Sequence, residues 1–198
     1  ISCLIVDMRT PGIDVRPLAT LNGDKDFNEV FFDDVRVPVD ALLGSLNDGW
    51  RVATSTLSHE RAGAARLYAM TSVRLRQLIA DLRAAHDRGA GVLDDPIVLD
   101  RIGELDVRLD QLKRLCQRSI SAILAGGDPS GQASLAKTVW GELDQDLAAF
   151  GYATLGADDP GGRWAVQRTT SRSLTIAGGT TQVNKNITAQ RVLGLPRG

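Results

Sequence analysis

A chain of 198 residues, 43% apolar and 24% charged, can bury one substantial core, or one domain and a piece of another. A formal net charge of −1 offers no field for nucleic acid or an anionic membrane surface, and no run approaches the roughly 20 apolar residues of a membrane span. Two cysteines, Cys3 and Cys116, make no disulfide framework and suit a reducing cytosol, so a cytoplasmic protein is expected.

The first 43 residues are β-rich. The runs "ISCLIVDM", "IDVRPLATL" and "FNEVFFDDVRVP" predict three strands, separated by "RTPG" and "NGDKD". Both separators are turn chemistry: proline presets φ, and glycine or asparagine tolerates positive φ. Three strands without a closing partner leave an open edge. The chain lacks an initial methionine and opens directly in a strand, so it is expected to be a fragment whose upstream half lies elsewhere. "VPVDALLGSLNDGW" then reads as a connector, broken by Pro38 and Gly44.

From Asn47 onward the pattern is helical. Val52, Leu57, Ala64, Leu67, Met70, Val73, Leu78 and Leu82 mark an apolar stripe and predict one long helix from about Asp48 to His86. "DRGAGVLDDP" interrupts it. Asp95-Pro96 starts a second long helix, striped by Ile97, Ile102, Leu105, Leu109, Leu112, Leu115, Ile120 and Ile123. "DPSGQASLAKTVWGELDQDLAAFGYATLG" predicts a third helix, "RWAVQRTTSRSLTIAG" a shorter fourth, and the residues after "AGGTT" a fifth. Long helices with short polar joints imply a mostly α architecture, an antiparallel four-helix-type bundle over 44–198 preceded by a partial β-domain over 1–43.

Candidates for chemistry are sparse. His59 and His86 are the two histidines, and no spacing of His, Cys, Asp or Glu suits a metal. GxSxG, GxGxxG and Walker-type loops are absent. "AGGTT" supports two readings that stay open here. It is a C-capping glycine pair followed by a threonine N-cap. Alternatively, it is a helix N-terminus whose N–H groups meet a polar cofactor, with Thr180, Thr181 and Gln182 adding directional bonds.

The order "FNEVFFDDVRVP", "LLG", "NDGW", "LSHER", then a bundle ending in "GGTTQVNKNITAQRVLGLPR", resembles the acyl-CoA dehydrogenase family along the whole chain. The resemblance implies a three-domain protein of which this chain is the end of the middle β-domain and the C-terminal bundle. It also implies FAD, an acyl-CoA substrate, electron-transferring flavoprotein as acceptor, and a homo- or hetero-tetramer. In that chemistry a carboxylate removes the proton next to the thioester carbonyl while the β-carbon delivers hydride to the flavin. Many members place the glutamate just before the "GT" of the closing turn, where this chain has Gly178. Isovaleryl-CoA and long-chain acyl-CoA dehydrogenases place it on the first bundle helix, just before an arginine. That position here is Glu60, the expected catalytic base, followed by Arg61 as a substrate contact.

Thr180, Thr181 and Gln182 carry over as cofactor contacts, and Arg88 is the nearest cation where the family has its "RxxFG" pyrophosphate motif. That motif has become "HDRGAGVLDDP", and "QILGG" has become "ATLGADD", Ala153 to Asp159. Several flavin contacts are thus absent or replaced. These losses motivate an alternative, a non-catalytic structural subunit of a hetero-oligomeric acyl-CoA dehydrogenase whose partner supplies flavin and base. The fragment alone is expected to be inactive.

Overall fold

The computed structural model describes residues 1–61, 63–156 and 161–196, with the side chains of residues 57–61, 64 and 65 outside the described set. The chain divides into two compact units, Ile1–Glu60 and Arg61–Gly198.

In the first unit, β2 (Ile13–Leu18) pairs antiparallel with β3 (Phe27–Phe32), in a register that sets Ile13 opposite Phe32 and Leu18 opposite Phe27. Val, Phe and Ile favour this pleated geometry. The joint folds back through a hydrogen bond from the Thr20 N–H to the Asp24 carbonyl, 2.8 Å. The run "ISCLIVDM" is a strand only at β1 (Cys3–Leu4), which pairs with β4 (Leu42–Leu43), a strand the sequence reading assigns to the connector. The expected open three-stranded edge is therefore two separate two-stranded pairs. A two-residue strand is too short to show a period of two, so its partner across the chain decides it.

Helix α1 (Gly49–Arg61) supplies the last residues of the first unit, up to Glu60. A Cβ on Gly49 would lie 2.5 Å from the Ser2 carbonyl carbon, so only glycine lets the N-terminal backbone approach. That approach carries the hydrogen bond from the Gly49 N–H to the Ile1 carbonyl, 3.0 Å.

The second unit is a helical bundle. The single helix predicted over Asp48–His86 is two, α1 and α2 (Ala64–Ala85), with Gly63 in the N-cap position of α2 at φ −69° and ψ 17°. Gly63 carries little helix propensity, and a single glycine does not disturb the apolar period enough to be legible in the pattern. A π-helical turn, His86–Ala90, closes α2, with Gly89 at φ 90°. Helix α3 (Pro96–Leu124) starts as predicted: Asp95 is the N-cap, its carboxylate accepts from the Ile97 N–H at 2.8 Å, and proline takes the first helical position.

Next come α4 (Ser130–Gly151) with a π-helical turn Tyr152–Gly156, α5 (Arg163–Thr170) with a 3-10 turn Ser171–Thr175, and α6 (Thr181–Arg191). The core joins Leu75, Leu78 and Leu82 of α2, Leu105, Leu109 and Leu112 of α3, Leu143 and Leu147 of α4, and Trp164 of α5. Burying each such leucine stabilises by roughly 1.5–3 kcal/mol before the entropy of ordering is subtracted. Of the predicted stripes, Leu78, Leu82, Leu105, Leu109 and Leu112 do enter this core, while other members lie off the packed face. Met70 and Val73 are 40% and 59% exposed, and Ile97 is 75% exposed, whereas Leu75 and Val98 are buried. Period alone does not say where the packed face is centred. No described helix is long and apolar enough to cross a membrane.

Candidate functional site

The turn between the 3-10 segment and α6 is built on two consecutive left-handed glycines, Gly178 at φ 66° and Gly179 at φ 91°. Residues with a Cβ rarely adopt such angles, so the pair reverses the chain where other residues would be strained. Thr180 follows as the N-cap of α6: its backbone is extended, and its hydroxyl accepts from the Val183 N–H at 3.2 Å. The capping reading of "AGGTT" therefore holds. It leaves the N–H groups of Thr181 and Gln182 without intrahelical acceptors, as the first turn of any α-helix does.

Helix α4 supports this turn from below along residues 137, 141 and 145, spaced one helical turn apart. Lys137 is buried, 8% exposed, and its Nζ donates to the Leu174 carbonyl at 2.9 Å and the Gly179 carbonyl at 2.8 Å. Among the described residues no carboxylate pairs with it, and burial pulls its pKa below the usual lysine value. Gly141 lets the chain pass close, since a Cβ there would lie 2.9 Å from the Leu174 oxygen. Gln145 donates to the Ser171 carbonyl at 3.1 Å and to the Thr175 hydroxyl at 3.0 Å. From the other side Asn184, fully buried, donates through Nδ2 to the Gly179 carbonyl at 2.8 Å and the Thr180 carbonyl at 3.1 Å.

Thr180, Thr181 and Gln182 thus stand together at one helix start, with Gln182 exposed. Arg88 is exposed in the π-helical turn after α2, and no hydrogen bond or ion pair joins it to those three residues. The side chains of Glu60 and Arg61 lie outside the described residues, as do Ala157 to Asp159 of "ATLGADD". Lys137, Gln145 and Asn184 are absent from the sequence-derived candidates. The one signal for Lys137 is a lone cation in the small-residue run "ASLAKTVWG".

A concavity of about 520 Å³ lies between α2 and α5, lined by residues that include Met70, Val73, Arg74, Gln77, Arg163 and Trp164. Its cations are engaged. Arg74 pairs with the buried Asp144, and Arg163 lies 3.5 Å from Asp81, which also accepts from the Trp164 indole N–H at 3.0 Å. Burial pushes the Asp144 carboxyl above its usual pKa, and Arg74 and Thr71 oppose that shift only in part.

The second unit is thus a helical bundle whose last helix opens on a glycine turn. Residues 47–193 match the family model described as "Acyl-CoA dehydrogenase, C-terminal domain", and the chain belongs to the acyl-CoA dehydrogenase family. It is 38% identical over 204 residues to acyl-CoA dehydrogenase FadE34 of Mycobacterium tuberculosis, spanning all of this chain and 27% of that protein. It is 33% identical over 206 residues to acyl-CoA dehydrogenase IpdE1 of Mycolicibacterium smegmatis, covering all of this chain and 50% of the relative. The chain thus spans half or less of the length of these curated relatives. Among solved structures, "Tcur3481-Tcur3483 steroid ACAD" is similar at a TM-score of 0.86 and 26% identity, covering 100% of this chain and 52% of that one. The ChsE4-ChsE5 complex from Mycobacterium tuberculosis is similar at a TM-score of 0.83 and 26% identity, covering 100% and 54%.

FAD, the cofactor this family generally uses, fits the donor set at the turn. The α6 N-terminus carries free N–H groups and the exposed Gln182 amide, with the buried Lys137 ammonium behind them, donors of the kind an anionic nucleotide would need.

Proposed function

We propose that the protein carrying this chain is a flavin-dependent acyl-CoA dehydrogenase that converts an acyl-CoA thioester to the 2-enoyl-CoA, with Glu60 as its base. The observation that carries the reading is the closing turn. From Leu174 to Gln182 it contains no acidic side chain, and residue 178 is a left-handed glycine. In a family whose chemistry needs a carboxylate, the base must then come from another element, and "LSHER" at the end of α1 supplies one beside an arginine.

An exposed glutamate has a pKa of about 4.3 and is a weak base. Enclosure against an acyl chain would raise that value and let Glu60 take the proton from the carbon next to the thioester carbonyl. Arg61 contacts the thioester end of the substrate. Thr180, Thr181 and Gln182 hold the cofactor through N–H, hydroxyl and amide groups, and Arg88 supplies a cation toward its pyrophosphate. FAD, when bound, accepts the hydride from the β-carbon, and electron-transferring flavoprotein reoxidises it. A bulky, steroid-like acyl group is supported by the steroid enzyme among the similar structures.

The test is Glu60→Gln in the whole protein, read as acyl-CoA-dependent bleaching of the flavin. Bleaching at the wild-type rate would dismiss Glu60 as base. A second reading, a non-catalytic subunit of a hetero-oligomeric enzyme, is favoured by the two-component complexes among the similar structures. Arg88 also stands without a described ion pair in a stretch that lacks the family's phenylalanine. Flavin per subunit, measured with the protein alone and then with its partner, separates the two. A colourless protein that turns yellow only with a partner supports the second.

A further inference from the structure

We propose that Lys137 is the positioning residue of the cofactor turn: from the buried face of α4 its ammonium clamps the Leu174 and Gly179 carbonyls and so aims the Thr180 N–H outward, toward the bound flavin. The inference rests on the flavin reading above and adds to it a residue remote in sequence from the turn.

Two adjacent left-handed glycines are the least constrained backbone of the segment, so their geometry has to be imposed by neighbours. The clamp spans the reversal, because one Nζ holds the Leu174 carbonyl before it and the carbonyl of Gly179, the second glycine of the pair. The Gly179 oxygen also accepts from Asn184 Nδ2, so both of its lone pairs are directed at buried donors. In a planar trans peptide the N–H points opposite to the C=O. Pinning the Gly179 carbonyl inward therefore turns the Thr180 N–H to the outer side, where it has no acceptor among the described residues.

The Lys137 Cε lies 3.8 Å from where a Cβ on Gly178 would stand, so the charge sits directly behind the glycine pair. Burying an ammonium without a carboxylate costs on the order of several kcal/mol unless it finds strong dipoles. Two carbonyls supply them, and the positive potential that remains reinforces the N-terminal end of α6.

The experiment compares Lys137→Met and Lys137→Arg with wild type in the whole protein, together with its partner subunit where one is required. Flavin affinity is measured by titrating the apoprotein, and amide hydrogen exchange is followed at Val183 and Asn184, which bond to the Thr180 hydroxyl and carbonyl. Lys137→Met is expected to weaken flavin binding at least tenfold and to speed exchange at those two amides, while amides in the middle of α3 exchange at the wild-type rate. Arginine can also donate to two carbonyls and should restore affinity to within about threefold.

Flavin affinity within twofold of wild type in Lys137→Met overturns the proposal, and so does failure of arginine to restore it. If Lys137→Met does not fold, Asn184→Ala removes the other donor to the same carbonyl and is held to the same tenfold criterion. A wild-type protein that takes up no flavin with any partner sinks the cofactor reading itself, and this proposal with it. Wild type that binds flavin alongside a Lys137→Met that binds it equally well sinks only the role of Lys137.

Discussion

Replacing glycine by alanine should move stability in opposite directions at two helical sites, Gly151 in α4 and Gly103 in α3. In a helix interior the substitution gains up to about 1 kcal/mol, because glycine loses more backbone freedom on folding. At Gly103 nothing among the described residues lies within 4 Å of the added Cβ, so that gain is unopposed. At Gly151 the Cβ would stand 2.3 Å from Trp164 Cε3, 2.5 Å from Cδ2 and 2.8 Å from Cζ3. Carbon atoms pack at about 3.5–4.0 Å, so the indole has to retreat by more than about 1 Å.

The ring cannot retreat freely. It is 4% exposed, and its N–H is held by Asp81 at 3.0 Å. Overpacking of this kind costs about 1–3 kcal/mol, and a hydrogen bond to a charged group adds about 1.5–3 kcal/mol if it breaks. The packing cost exceeds the backbone gain. Net of the backbone gain, Gly151→Ala should therefore destabilise by up to about 2 kcal/mol, and by more if the indole hydrogen bond breaks, whereas Gly103→Ala should stabilise by about 0.4–1 kcal/mol. For a chain of this size 1 kcal/mol is about 2–4 °C in Tm, so thermal unfolding resolves both. A Gly151→Ala protein that melts at or above wild type would refute the reasoning, as would a Gly103→Ala protein that melts below it.

Thr180→Ala removes the N-cap of α6 and should cost about 0.5–2 kcal/mol, whereas Thr180→Ser keeps the hydroxyl and most of that stability. Hydrogen exchange at Val183, whose N–H the hydroxyl accepts, reads the difference directly. Asp144 governs part of the acid stability profile. Its folded pKa lies above the reference value of 3.8, so the folded state holds more protons than the unfolded state between the two values. Its contribution is then lost as pH rises through that window. Asp144→Asn should remove this slope, so the variant's stability rises relative to wild type with increasing pH. Parallel denaturation profiles would contradict that sign.

The reading of the closing turn shows where sequence reaches and where it stops. Glycine pair, threonine cap and helix start are all local, decided by the φ angles glycine alone tolerates and by one side chain bonding three residues ahead, and all were legible in "AGGTT". Asp95-Pro96 opened α3 for the same reason. The joint at Gly63 was not legible, because one weak helix former interrupts the backbone without disturbing the apolar period on either side. Neither were the edges of the stripes: Leu78 and Leu82 reach the leucine core, but Met70 and Val73, at the same helical spacing, line the concavity beside α5.

What the sequence alone determined, then, was that this chain is mostly helical, where most of its helices begin, and, through two distant blocks read together, the acyl-CoA dehydrogenase family. Only the tertiary structure decided what holds the turn. Lys137 reaches carbonyls 37 and 42 residues away, and Trp164 closes on a glycine of another helix. Contacts of that kind depend on which faces of the helices meet, and a periodic pattern is indifferent to that choice.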